Sequence, residues 1–146
     1  MVPFIRKSSL LFALGAFGGL VTAIAIWLSG LVGLTSLFGV AIAPPLSPEM
    51  IYPKVVWGGI WGWLGFLPLS VSGWLARGVV ISLFPAAVAW LVFLPMDGAG
   101  LLGLSLGILT PVFVLGFNIV WGLATEGLAE LCGVYRERPG AAAATT

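Results

Sequence analysis

The sequence predicts an all-α integral membrane protein with four transmembrane helices and both termini cytoplasmic. Composition points there first: of 146 residues, 60% are hydrophobic and 8% charged, where a water-soluble domain carries about 25% charged residues. So few charges cannot cover a surface facing water, so lipid must cover most of it. The second observation is long uncharged apolar runs interrupted by proline-rich or charged connectors. The third is the sidedness of the basic residues. One domain is expected, covering residues 1–135, with spans at about residues 9–28, 53–73, 77–95 and 111–131 and a polar tail at residues 136–146.

The N-terminal segment places Arg6 and Lys7 just ahead of an apolar run that continues to Ala43 without a charge. A single crossing needs about 20 residues, so a helix over residues 9–28 leaves the Gly/Ser/Thr-rich residues 30–43 to extend a tilted helix or lie at the interface. A cleavable leader competes for this stretch, with Ala23-Ile24-Ala25 as the cleavage-like site. The apolar run continues well past that site, which favours an uncleaved anchor. Pro44, Pro45 and Pro48 end the segment, since proline lacks an N–H and disfavours helix in the residue before it.

Pro53 suits the first turn of a second helix, with Pro68 as a kink or an early end. Arg77 opens the third, which contains Pro85 and stops at Pro95. Met96-Asp97-Gly98 is a turn. The run from Ala99 to Leu131 is again too long for one crossing and divides at Thr110-Pro111. Residues 99–109 are then interfacial or re-entrant, and residues 111–131 span. With four spans, Arg6, Lys7, Arg77, Arg136 and Arg138 share one side, opposite Lys54, Glu49 and Asp97. The positive-inside rule makes the first group cytoplasmic.

Each span has a face of small residues. Gly15 and Gly19 on the first, and Gly58 and Gly62 on the second, follow the small-xxx-small spacing that lets helix backbones approach, with Gly65 on the same face as the latter pair. Such faces either build the chain's own bundle or receive a partner. Trp57 and Trp61, one turn apart, flank the second glycine face. They fit an interfacial aromatic belt, packing within the chain, or a groove for a planar ligand or lipid. Asn118 lies mid-span, where a polar side chain needs a partner, and interhelical hydrogen bonding is the simplest role. Thr125 and Glu126 follow on the same helix. Glu126 either reaches water, pairs with Arg77 or Arg136, or serves as a proton- or cation-linked carboxylate.

Enzyme chemistry is not legible. Histidine is absent, Cys132 is the sole cysteine, and neither a nucleophile elbow nor a phosphate loop occurs. No metal site is expected, nor a dedicated cofactor, although lipid, quinone or pigment can be held by packing alone. The net charge of +1 gives no reason to expect nucleic acid.

The glycine- and alanine-rich first span (Gly15, Gly18, Gly19, Ala23) followed by Pro44-Pro45-Leu46-Ser47-Pro48 is similar to the uncharacterised YagU-type bacterial inner-membrane proteins. That resemblance covers the first third of the chain and implies a small bacterial inner-membrane protein. Four-helix small multidrug transporters share the size, but they rely on an acidic residue inside the first span, and this span has none. The expected role is therefore a non-enzymatic accessory or structural subunit, docked on other membrane subunits and lipids. The alternatives are a small homo-oligomeric transporter or channel and a quinone-, pigment- or lipid-binding protein.

Overall fold

A computed structural model describes residues 2–135, and all regular structure among them is helical. The calls on residues 136–146, including Arg136 and Arg138, lie outside the described residues. Six α-helical elements follow one another: α1 (Val2–Leu31), α2 (Leu34–Leu37), α3 (Pro48–Gly62), α4 (Trp74–Val88), α5 (Leu94–Met96) and α6 (Thr110–Leu131). Three helical stretches, Pro3–Leu31, Trp74–Met96 and Thr110–Leu131, are long and apolar enough to cross a membrane.

Several helix limits differ from the sequence expectation, each for a local reason. α1 begins near the N-terminus rather than at residue 9 and takes in Arg6 and Lys7. It stops at Leu31 because Gly33 turns the chain with φ 74°, a conformation that glycine adopts without steric cost. α3 begins at Pro48, not Pro53. Ser47 caps it, its Oγ accepting from the Met50 N–H at 3.4 Å, and Pro48 occupies the first helical position, where its missing N–H costs nothing. α3 ends at Gly62, continues as a 3₁₀ turn over Trp63–Phe66, and stops there. Leu67 precedes Pro68 and is extended at ψ 131°, as steric conflict with the proline ring requires. Pro68 is thus an early end, and residues 67–73 are connector.

α4 and α5 form one rod joined by a π turn at Ala89–Phe93. Pro85, which cannot donate to the Ile81 carbonyl one turn earlier, lies inside α4, four residues before the π turn begins.

Lipid offers apolar helices no hydrophobic reason to associate, so close van der Waals contact has to hold them. Glycine supplies it at three crossings. α1 meets α3 where a Cβ on Gly58 would stand 2.6 Å from the Gly15 carbonyl oxygen and 2.9 Å from the Gly19 Cα. α4 meets α6 at Gly78 and Gly122, whose backbones touch. α1 meets α6 at Gly18, which lies against Trp121 and Thr125. Leu11, Leu14, Ala23, Ile81, Ala86 and Ala129 fill the interior between these crossings.

Residues 30–43 and 99–109 fold onto each other. The Ala41 N–H donates to the Leu106 carbonyl at 2.8 Å, Thr35 Oγ1 to the Ile42 carbonyl at 2.7 Å, and Ser105 Oγ to the Ala99 carbonyl at 2.6 Å. Thr35, Val40, Ala99 and Thr110 are buried there. Residues 30–43 therefore do not simply extend the first helix; with residues 99–109 they cap one end of the bundle.

Candidate functional site

The crossings pair α1 with α3, α1 with α6, and α6 with α4, but α3 and α4 have no such seam. Between them a cleft of about 580 Å³ opens onto the α1/α6 pair. Its size is that of a small-molecule site. The floor is Gly19 and Thr22 of α1 with Phe117, Asn118 and Trp121 of α6. One wall is Trp57 and Trp61 of α3. The other is Pro85, Ala89 and Phe93, four residues apart along the irregular part of the α4/α5 rod. Helical π turns recur at functional sites because they re-aim side chains and loosen the carbonyl ladder.

The walls meet at one aromatic bridge. Trp57 stacks on Trp61 at 6.2 Å between ring centres and tilts against Phe93 at 5.2 Å. On the floor, Trp121 Nε1 donates to the Gly15 carbonyl at 3.0 Å, so its indole presents an apolar face with its polar atom satisfied. Charge gathers at the capped end, where Glu49, Lys54 and Asp97 all line the cleft and Asp97 acts electrostatically on Lys54. The result is an apolar, aromatic trough with a charged mouth.

The predicted residues divide into three groups. Trp57, Trp61, Gly19, Gly58 and Asn118 come together in the cleft. Gly15 and Gly62 lie in the α1/α3 crossing, and Gly65 packs against Leu11 and the Tyr135 hydroxyl. The glycine face is thus used inside the chain and is closed to a partner. Asn118 does not join two helices: its Nδ2 donates to the Val114 carbonyl of its own helix at 2.8 Å, which satisfies one of its groups locally and leaves the amide at the cleft floor. Lys54, Asp97, Phe93 and Trp121 were not anticipated as site residues. The one available signal was that Lys54 and Asp97 belong to the same sparsely charged side.

Thr125 and Glu126 belong to a different place. Thr125 is buried and donates to the Trp121 carbonyl at 2.8 Å. Glu126 is only 1% exposed, so it does not reach water. Arg77 Nε lies 3.2 Å from its Oε2, and the Tyr135 hydroxyl donates to its Oε1 at 3.0 Å. The Arg77 guanidinium stacks over the Tyr135 ring at 4.2 Å, and Lys7 approaches the same ring at 5.9 Å. Burial first, and the Glu126 carboxylate second, push the Tyr135 phenol up to about 12. This cluster ties α4, α6 and the chain after α6 together at the end opposite the cleft mouth.

Among the described residues, no three His, Cys, Asp or Glu side chains gather as a metal site. The chain matches no protein-family model, no curated protein and no solved structure.

Proposed function

We propose that this chain is a four-span, non-enzymatic membrane protein that holds an amphiphilic or planar apolar molecule in the cleft between α3 and α4. The observation that carries this reading is the trough itself: aromatic walls, an irregular helix on one side and charge confined to one end. A fourth crossing by α3 is dimensionally sound. Fifteen α-helical residues and four in a 3₁₀ turn rise about 22 Å and about 8 Å, together matching a hydrocarbon core of about 30 Å. Arg6, Lys7 and Arg77 lie at the end opposite Glu49, Lys54 and Asp97, which supports cytoplasmic termini in a bacterial-type inner membrane.

The accessory-subunit reading loses its main argument, because the glycines that would have received a partner are occupied within the bundle. Subunits and lipids on the outer helix faces remain compatible with it. A transport role for Glu126 is likewise weakened by its ion pair with Arg77.

Native mass spectrometry of protein extracted in mild detergent tests the reading. Wild type is expected to retain one amphiphile mass per chain, and Ala89→Trp, which fills the cleft, to lose it. A folded wild-type protein carrying no bound mass, or an Ala89→Trp variant retaining it, overturns the proposal.

A further inference from the structure

We infer that the cleft's ligand is a zwitterionic, amine-headed glycerophospholipid of the phosphatidylethanolamine type. The inference rests on the reading of the cleft as a ligand site and adds the headgroup chemistry.

The argument begins with the mouth. A trough lined by Trp57, Trp61, Phe93 and Phe117 accepts acyl chain or ring equally well, so its walls select nothing beyond apolarity. Selection has to come from Lys54, Glu49 and Asp97, the charged residues that line it. They comprise one cation and two carboxylates. An anionic headgroup would gain Lys54 but face both carboxylates. A cationic amphiphile would gain the carboxylates but face Lys54 next to Asp97, the two being within electrostatic reach of each other. A headgroup carrying both charges satisfies each sign at once, with phosphate at Lys54 and the cation at Asp97.

The kind of cation follows from hydrogen bonding. A primary ammonium has three N–H donors for carboxylate oxygens, and charge-assisted bonds of this kind are roughly twice as strong as neutral ones. A trimethylammonium has none and would bring only its charge and a contact with Trp57. Ionised carboxylates, which accept hydrogen bonds and donate none, therefore favour the amine over the choline head. Position agrees with this assignment. Lys54 and Glu49 lie within the first two turns of α3, and Asp97 immediately follows α5. Glu49 and Asp97 thus sit at the capped end of the helices, and Lys54 lies more than a turn deeper along α3, its backbone against Gly19, while the aromatic walls extend from there toward the bundle's middle.

Delipidated protein titrated with phosphatidylethanolamine, phosphatidylcholine and phosphatidylglycerol of identical acyl chains, read by native mass spectrometry, separates the possibilities. Phosphatidylethanolamine is expected to bind at least about tenfold more tightly than either of the others, a gap of about 1.4 kcal/mol. Asp97→Asn is expected to bring phosphatidylethanolamine down to the level of phosphatidylcholine. Lys54→Gln is expected to weaken all three. Both side chains are exposed, so the variants should fold. Equal binding of all three lipids, blocked by Ala89→Trp, would overturn the headgroup assignment while leaving the cleft a ligand site. A preference for phosphatidylglycerol would also overturn it. Absence of binding by any lipid or extracted amphiphile would remove both readings.

Discussion

Arg77 of α4 and Glu126 of α6 form an ion pair, Nε to Oε2 at 3.2 Å, with the carboxylate 1% and the guanidinium side chain 14% exposed. Desolvating two charges is costly, and their attraction repays it only while both are present. Arg77 Nη2 is itself buried without a hydrogen-bond partner among the described residues, which leaves the guanidinium especially dependent on Glu126. Glu126→Gln is therefore expected to destabilise the protein by about 3–5 kcal/mol, as when one member of a buried pair is removed. Arg77→Met combined with Glu126→Leu should recover most of that loss. Unfolding midpoints in mild detergent measure both. A neutral Glu126→Gln would show that the pair contributes no stability and would return Glu126 to the transport hypothesis.

The third member of that cluster gives a pH signature. Tyr135 has its phenol pushed up from 10.0 to about 12 by burial and by the neighbouring carboxylate. A raised folded-state value means that folding favours the neutral phenol. Its contribution is fully present below about pH 10 and disappears as pH climbs through about 12. Wild type is expected to lose stability over this window by more than Tyr135→Phe does. The phenolate absorbance absent from the variant should develop near pH 12 rather than near 10. Ionisation near 10 in the folded protein would mean that the ring is solvated and the cluster open.

How much of this was legible beforehand depended on whether the physics was local. The long apolar stretches of α1, the α4/α5 rod and α6 announce themselves, because twenty uncharged residues have no other solvent. The ends of α3 were also written locally, in Ser47-Pro48 as cap and first turn and in Leu67-Pro68 as stop, but Pro53 suits a first turn equally well, so proline alone does not fix the start. The cleft was half visible: Trp57, Trp61 and Asn118 are conspicuous on their helices. Phe93 and Trp121 are not, because nothing in a helical pattern says which neighbour an apolar ring will face. The π turn that aims Phe93 was not written locally either, since the same residues can continue an α-helix and only tertiary packing decides for the wider turn. Burial of Glu126 was equally hidden, since its position near a helix end suggested water until Tyr135 folded back over it.

The α1/α3 crossing predicts sharply different outcomes for two glycines. A side chain at Gly58 meets backbone, the Gly15 carbonyl at 2.6 Å, whereas one at Gly116 meets nothing within 4 Å. Backbone cannot rotate aside, so Gly58→Leu must separate the helices. Its cost is expected to exceed the roughly 1–3 kcal/mol of ordinary overpacking. Gly116→Leu should be neutral or stabilising by up to about 1 kcal/mol, since leucine is the better helix former. Parallel unfolding curves test this, and equal stabilities would refute the crossing.

Cys132, the chain's sole cysteine, is a built-in reporter of orientation. It is exposed and directly follows α6, at the end of the bundle that carries Arg77 and Lys7. Positive charge held on the cytoplasmic side would put this thiol in the cytoplasm. A membrane-impermeant maleimide is then expected to label inverted inner-membrane vesicles and to leave intact spheroplasts unlabelled. A cysteine placed at Gly98, in the turn after α5, should show the opposite pattern in a Cys132→Ser background. Gly98 has φ 78°, so that substitution carries a backbone strain of about 1–2 kcal/mol, confined to an exposed turn. Labelling of both sites from one side would require an even number of crossings between them, and would remove the four-span topology together with the placement of the cleft mouth opposite the cytoplasmic termini.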